Sequence, residues 1–207
     1  MILLVIKTNN DVNVPFCGNL EYGISYVGNY DALYYKKNCV PLQDFSSGND
    51  VLDEILHKEL HRHKECKSFL FYQKDDPVPI AFCSMCCSSI SIEEEIEGAG
   101  IVELMHPAIE FRYFAVRKDL QNKPLDNSSE KISSYIFTQC MYYAYSVATD
   151  LMSAEYFVLH AHNSKRVRKF YEKHLFSELP SGVQIATDAS FENHIPAFLP
   201  ISELEME

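Results

Sequence analysis

The distribution of glycine most limits the folds open to this chain. The sequence has 7 glycines, and none of them lies between Ile101 and Ser181. Glycines let a backbone turn close around a phosphate group. Neither G-x-G-x-x-G nor G-x-x-x-x-G-K-S/T occurs anywhere. Rossmann dinucleotide-binding folds and P-loop folds therefore have no support.

Length and composition predict one domain over residues 1–207. The chain is 47% hydrophobic and 23% charged, which is typical of a soluble globular protein with its own core. No apolar run approaches the roughly 18 residues of a membrane span. The apolar start of the chain is short and lacks the basic residues of a signal peptide. We therefore expect a cytoplasmic protein with no membrane partner.

The charge balance bears on partners. The formal net charge is −11, whereas a nucleic-acid-binding protein needs a basic face to neutralise phosphates. We therefore expect nucleic acid not to be a partner and a neutral or cationic partner to be favoured. The sequence leaves a homodimer open.

Cysteines and histidines could suggest a metal site. The 7 cysteines are odd in number and the chain looks intracellular, so free thiols are expected. Cys83, Cys86 and Cys87 fall in a predicted strand, on which Cys83 and Cys86 would point to opposite faces. His57 and His61 lie one helical turn apart, but a solvated helix face is favoured. We predict no metal site.

Hydrophobic spacing predicts an α/β fold with a mixed central sheet flanked by helices. A strand at 108–116, a helix at 132–151 and a strand at 155–161 form a crossover, so the two strands should run parallel and then splay apart. The acidic stretch 92–100 is expected to break regular structure. Asn49 or Asp50 and Ser164 are candidate caps. The other predicted helices cover 50–63 and 164–174, and the other strands 67–72, 78–90, 183–186 and 196–201.

Four segments, in order along the chain, resemble motifs of the GNAT acyl-CoA-dependent N-acetyltransferases. Residues 170–176 read F-Y-E-K-H-L-F, similar to the family's F-Y-E-x-x-G-F, with Leu175 in place of glycine. Residues 41–56, 107–116 and 198–201 resemble the opening, central and closing segments of a branch that includes toxins acetylating aminoacyl-tRNA. The resemblance covers about residues 40–201 and implies a single-domain GNAT-like fold.

The resemblance implies acetyl-CoA as cosubstrate and direct acetyl transfer to an amine of unknown identity. The family's coenzyme loop aligns with residues 121–126, where Pro124 and Asp126 replace two small residues. Proline has no amide to offer a pyrophosphate. The coenzyme-binding positions implied by the resemblance are Phe114, Ala115, Val116, Lys118, Gln121, Asn122, Lys123, Ser128, Ser164 and Phe170.

Catalytic roles follow from the same resemblance. Tyr171 matches the family's general acid, which would protonate the departing thiolate. The alternative is a core tyrosine whose hydroxyl bonds to a carbonyl. Glu110 lies where a base would be useful, directly or through water, and the alternative is an outward carboxylate or one paired with Arg112. His160 or His162 could also act as base, although satisfied strand histidines are commoner.

Three functions remain open at this point. The first is an N-acetyltransferase acting on a small-molecule or protein amine. The second is a GNAT-fold binding protein that has lost catalysis, which the altered loop favours. The third is a tRNA-directed toxin, opposed by the net charge but supported by a basic patch. That patch consists of Lys165, Arg166, Arg168, Lys169 and Lys173.

Overall fold

The computed structural model describes residues 11–14, 22–27, 42–59, 63, 65–73, 78–125, 129–187 and 193–204. Residues 74–77, between the predicted strands 67–72 and 78–90, and most of the chain before residue 42 lie outside them. Among the described residues, no helix has both the length and the apolar character needed to cross a membrane.

Within the described residues the main feature is a nine-stranded mixed sheet, in the order β1-β2-β3-β4-β5-β6-β9-β7, with β8 paired to β4. This confirms the predicted mixed α/β architecture. The strands are β1 (Asp11–Val14), β2 (Tyr22–Val27), β3 (Cys66–Gln73), β4 (Ala81–Ile96), β5 (Gly100–Val116), β6 (Tyr156–His162), β7 (Ser177–Glu178), β8 (Val183–Ile185) and β9 (His194–Pro200).

The predicted parallel pairing of β5 and β6 is confirmed. Ala108, Ile109 and Glu110 pair with Tyr156, Phe157 and Val158 in parallel register. This ladder is short, and both strands continue beyond it. On its other side, β6 pairs with β9 in an antiparallel ladder of seven residue pairs. Most of the backbone pairing of β6 therefore comes from β9.

The prediction that residues 92–100 break regular structure was wrong for residues 92–96, which continue β4, and is confirmed for the turn at residues 97–99. Strand β4 continues to Ile96, and β5 begins at Gly100 after a tight turn. The Ala99 amide donates to the Ile96 carbonyl at 3.0 Å. Gly98 and Gly100 take positive φ angles of 83° and 77°, which suit a turn of this kind. Glutamate is a poor strand former in general, but residues 93–100 are all exposed, so water solvates their charges.

Three α-helices lie wholly within the described residues: α1 (Asp50–Glu54), α2 (Ile132–Val147) and α3 (Lys165–Lys173). Asn49 caps α1 by accepting hydrogen bonds from the amides of Val51 and Leu52, as predicted. The helix ends earlier than predicted, because a π-helical turn at Ile55–Glu59 replaces its continuation to residue 63. A second π-helical turn, Ala148–Met152, follows α2.

By its internal contacts the chain comprises two compact units, one of residues 1–85 and 113–137, the other of 86–112 and 138–207. In the first unit, Phe45 and Phe82 are fully buried and pack edge to face at 5.9 Å. In the second, Phe111 packs edge to face on Phe157 and Phe176. A single domain over 1–207 stays a prediction.

Candidate functional site

Loop 117–125 follows β5 in the first unit and contains residues 121–125 of the predicted coenzyme loop, whose last residue, Asp126, lies outside the described residues. Its backbone amides are largely used within the protein, and Pro124 has no amide. The Lys118 amide donates to the Ser46 carbonyl at 2.7 Å, and the Leu125 amide donates to the Glu130 carbonyl at 2.7 Å. A phosphate approaching this loop would therefore meet few unused amides. The amides of Arg117, Leu120, Gln121 and Lys123 also donate to protein carbonyls.

Gln121 anchors this loop. Its side-chain nitrogen donates to the Ser47 carbonyl at 2.7 Å and to the Val116 carbonyl at 2.9 Å. An amide nitrogen of this type carries two hydrogens, so both are engaged. Gln121 thus connects the end of β5 to the segment before α1. The sequence predicted a coenzyme contact at Gln121 and not this connection.

The cationic side chains of the loop differ in availability. Arg117 donates to the Asp119 carboxylate at 2.8 Å and to the Val78 carbonyl at 3.3 Å, so its charge is already balanced. Lys118 and Lys123 are exposed. Asn122 has a φ of +66° and accepts from Lys131 at 3.2 Å. Lys118 and Lys123 are therefore the loop positions best suited to attract an anion.

At the end of β5 a ligand can reach main-chain groups but few side chains. Ala115 and Val116 are buried, and Phe114 packs against Phe137 with ring centres 5.0 Å apart. A ligand here would have to use main-chain groups, as extended ligands do along strands. Ser128 lies outside the described residues.

Helix α3, in the second unit, carries the other predicted contacts. Ser164 caps it by accepting from the Val167 amide at 3.4 Å, as predicted. Tyr171 is half-buried, with its ring 5.2 Å from Phe170 and 6.0 Å from Phe176. It is thus less enclosed than a core tyrosine, and its hydroxyl stays a candidate acid.

The helix ends in a Schellman motif without glycine. The Phe176 amide donates to the Tyr171 carbonyl, and the Leu175 amide donates to the Glu172 carbonyl. Leu175 has a φ of +68°, at the position where the resembled family has glycine. His174 is buried beside Phe170, and this burial, with the charge of Lys173, lowers the pKa of His174 to about 4.

Glu110 is 1% exposed and lies in a polar cluster of the second unit. Arg112 donates to its carboxylate at 2.9 Å and Thr187 at 2.7 Å. The Cys86 thiol and the His160 Nδ1 atom each lie 3.6 Å away. The predicted alternative, pairing with Arg112, is therefore observed, although the side chain is buried rather than outward.

The cluster favours the charged form of Glu110. Burial raises its pKa, but the contacts from His160, Thr187 and Arg112, together with the Arg112 charge, outweigh this effect. The pKa therefore lies below its ordinary value of 4.5, which makes this carboxylate a weak proton acceptor. Thr187 was missed because it is 77 residues away in sequence, a separation that no spacing pattern reveals.

Within the described residues, neither the cysteines nor the histidines form a metal site. The described cysteines form no disulfide, and the described residues bring together no group of three or more metal-ligating side chains. His162 is exposed, with its ring 5.4 Å from that of His194. His61, Cys17 and Cys39 lie outside the described residues.

Neither a family model nor a curated protein matches this sequence. Solved structures do match. A structure of AtaTR bound with acetyl-CoA has 16% identity and a TM-score of 0.61, covering 87% of this chain and 94% of that chain. AtaT complexed with acetyl-methionyl-tRNAfMet has 16% identity and a TM-score of 0.60, covering 88% and 96%. A KacTA–DNA complex has 15% identity and a TM-score of 0.56, covering 86% and 94%.

These comparisons bear on the expectation about nucleic acid. Two of the three similar structures are complexes with tRNA or DNA. At identities this low the likeness concerns fold. The chain has a GNAT-like fold, similar to that of the toxin AtaT and of KacT.

Proposed function

We propose that this chain is an acetyl-CoA-dependent N-acetyltransferase that transfers an acetyl group directly to the amino group of an aminoacyl-tRNA. The observation that carries the proposal is helix α3, which bears Tyr171 and, among its nine residues, five basic ones. A proton donor and an attraction for a polyanion thus share one helix. The exposed basic residues are Lys165, Arg166, Lys169 and Lys173.

The structural neighbours support this acceptor over the alternatives. AtaT forms a complex with acetyl-methionyl-tRNAfMet, and AtaTR binds acetyl-CoA. The fold that they share with this chain extends over more than four fifths of its length. No comparable observation favours a small-molecule or protein amine.

The chemistry asks little of a base. The neutral amine attacks the thioester carbonyl carbon, a C–N bond forms and the C–S bond breaks. The electron pair of that bond goes to sulfur, which takes a proton from the Tyr171 hydroxyl. The new amide nitrogen loses its proton to water, and water returns a proton to the Tyr171 oxygen. An α-amino group has a pKa of about 7.7–8.0, so much of it is neutral near pH 8. Glu110, held by Arg112, then serves to position the strands around it.

Coenzyme binding, on this proposal, uses strand backbone and lysine side chains. The main chain of residues 114–116 would hold the pantetheine arm. Lys118 and Lys123 would attract the pyrophosphate, in place of the amides that loop 117–125 uses internally. Attraction to exposed lysines is screened by salt. Coenzyme affinity should therefore depend on ionic strength.

Titration calorimetry with acetyl-CoA at low and high salt tests this binding mode. We expect affinity to fall about tenfold or more at high salt, and to fall similarly at low salt in a Lys118→Gln/Lys123→Gln variant. Lys58→Gln, which removes an exposed lysine paired with Glu54, should leave affinity unchanged. Tight, salt-insensitive binding would show that the loop provides an amide cradle after all.

A GNAT-fold binding protein without catalysis is the second candidate. The observation that favours it is the internal use of the loop amides, together with Pro124. No heat and no thermal shift at millimolar acetyl-CoA would establish this reading against the enzyme.

The acceptor is tested with labelled acetyl-CoA and three substrates: charged tRNA, uncharged tRNA and a free amino acid. Label should appear on charged tRNA alone. Lys165→Gln/Lys169→Gln should reduce the labelling, whereas Lys58→Gln should not. Equal labelling of the free amino acid would contradict the tRNA acceptor while leaving the acetyltransferase intact.

A further inference from the structure

The β4–β5 hairpin has an exposed apolar surface that the proposed reaction does not use. Of its large apolar side chains, Ile101 is 73% exposed and Met105 is 58% exposed. Both lie on β5 beyond the three residues that pair with β6. Exposed apolar side chains that lie together with a rim of polar residues mark interaction surfaces.

The side chains around them share one face of the hairpin. The Ser91 hydroxyl donates to the Glu103 carboxylate, which places these two residues on the same face. Because side chains alternate along a strand, Glu93 and Glu95 join Ser91, while Ile101 and Met105 join Glu103. We call Glu93, Glu95, Ile101, Glu103 and Met105 the hairpin face.

The exposed end of the hairpin carries charge of one sign only. Residues 86–111 contain six glutamates and no Lys or Arg. Glu93, Glu95 and Glu103 are exposed, and within the part of the chain that the structure describes no ion pair joins them to a basic side chain. Two such faces would repel one another, as would this face and a phosphate backbone.

We propose that the hairpin face is a docking surface for a basic, amphipathic segment of another protein. Apolar side chains of that segment would cover Ile101 and Met105, and its Lys or Arg side chains would pair with the surrounding glutamates. An extended segment with alternating apolar and basic residues has the matching periodicity. This surface shares no residue with α3 or with the residues proposed for the acetyl transfer.

The probe is a short peptide in which leucine and lysine alternate, with a serine–lysine peptide and a leucine–glutamate peptide as comparisons. Fluorescence anisotropy measures binding to the full chain. We expect the leucine–lysine peptide to bind about tenfold or more tightly than either comparison. Amide shift changes on binding should concentrate at residues 92–106. If the serine–lysine peptide bound as tightly as the leucine–lysine peptide, charge alone would account for the binding, and the proposal would be overturned.

Two variants separate the apolar and charged contributions. Ile101→Ser/Met105→Ser should weaken peptide binding about tenfold or more at any salt concentration. Glu93→Gln/Glu95→Gln/Glu103→Gln should weaken it at low salt and remove most of its salt dependence.

Matched controls change equivalent side chains elsewhere. Leu151→Ser/Met152→Ser removes two other exposed apolar side chains, and Asp44→Asn/Asp150→Asn/Glu203→Gln removes three other exposed charges. Both should bind the peptide as the unchanged protein does. Equal weakening in a control would overturn the assignment to this face. A second result would also overturn the proposal: a dimer, detected by sedimentation, that is lost in Ile101→Ser/Met105→Ser. The hairpin face would then join two copies of this chain.

Discussion

Leu175 holds a left-handed backbone conformation that a residue with a Cβ atom adopts at a cost of about 1–2 kcal/mol. Its φ is +68° and its side chain is 55% exposed, so little packing offsets this cost. We expect Leu175→Gly to raise the free energy of unfolding by up to about 1 kcal/mol, after the added entropy of the unfolded chain is counted. Chemical denaturation measures the change.

The matched control is Leu151→Gly. Leu151 is 79% exposed and lies in a π-helical turn, where glycine should destabilise by about 1 kcal/mol. Stabilisation at both positions would show that side-chain exposure, rather than the positive φ, governs the effect.

The proposed role of Tyr171 depends on a single atom, its hydroxyl oxygen, which carries the proton given to the thiolate. Its hydroxyl is needed only as the thiolate leaves, so Tyr171→Phe should lower turnover about 10²–10⁴-fold while coenzyme affinity hardly changes. Tyr142→Phe, at an exposed tyrosine of α2, should leave turnover unchanged. Calorimetry and a labelled-acetyl assay give the two quantities. An unchanged rate in Tyr171→Phe would reduce Tyr171 to a packing residue.

At this scale the sequence identified individual residues better than their partners. Asn49 and Ser164 cap their helices as predicted, because capping depends on residues close in sequence. The pairing of Glu110 with Arg112 was one of two predicted alternatives. Its bond with Thr187 depends on how distant segments meet, which no local pattern encodes.

At the scale of elements, loop 117–125 depends on Gln121. Gln121→Ala leaves the Ser47 and Val116 carbonyls without this donor, so we expect a loss of about 1–3 kcal/mol in the free energy of unfolding. Gln139→Ala, on the half-exposed part of α2, should change it by less than about 0.5 kcal/mol. A Gln121→Ala variant of full stability but reduced acetyl-CoA affinity would instead support the coenzyme contact that the resemblance implies.

Strongly periodic elements were predictable and irregular ones were not. Helix α2 buries side chains at helical spacing, and the predicted part of β5, residues 108–116, is buried almost throughout, so the apolar residues located both. The π-helical turn after Glu54 changes the helical repeat without a proline or glycine to signal it. The far end of the β4–β5 hairpin is exposed, so it lacks the apolar alternation that marks a half-buried strand.

At the scale of the whole molecule, His174 should make stability depend on pH. Its pKa is about 4 in the folded protein and 6.5 ordinarily, so between these values the unfolded chain binds more protons. Stability should therefore fall as pH drops from about 6.5 to about 4, by up to about 3 kcal/mol. Above about pH 6.5, His174 is neutral in both the folded and the unfolded protein, so it no longer makes the free energy of unfolding depend on pH.

Denaturation of the protein and of His174→Gln across this range isolates the effect. The difference in free energy of unfolding between the two should shrink as the pH falls. A constant difference from pH 7 to pH 4 would mean that His174 takes up its proton in the folded protein as readily as in the unfolded chain. Glu110 affects stability at lower pH. Because its pKa is lowered in the folded protein, its ionised form stabilises the fold above about pH 4.5, and this stabilisation is lost as the pH falls further.

Strand β6 makes fewer backbone pairs with β5 than with β9, so its pairing can be completed only late in synthesis. Strand β6 has three pairs with β5, which is made before it, and seven with β9, which is made after it. While the ribosome has released only residues up to β8, β6 therefore has most of its backbone groups unpaired and one long edge open to other chains. Nascent chains stalled before β9 should be cleaved by protease within residues 156–162, and chains that include residues 194–200 should resist. Equal resistance at both lengths would mean that the three parallel pairs already hold β6 in place.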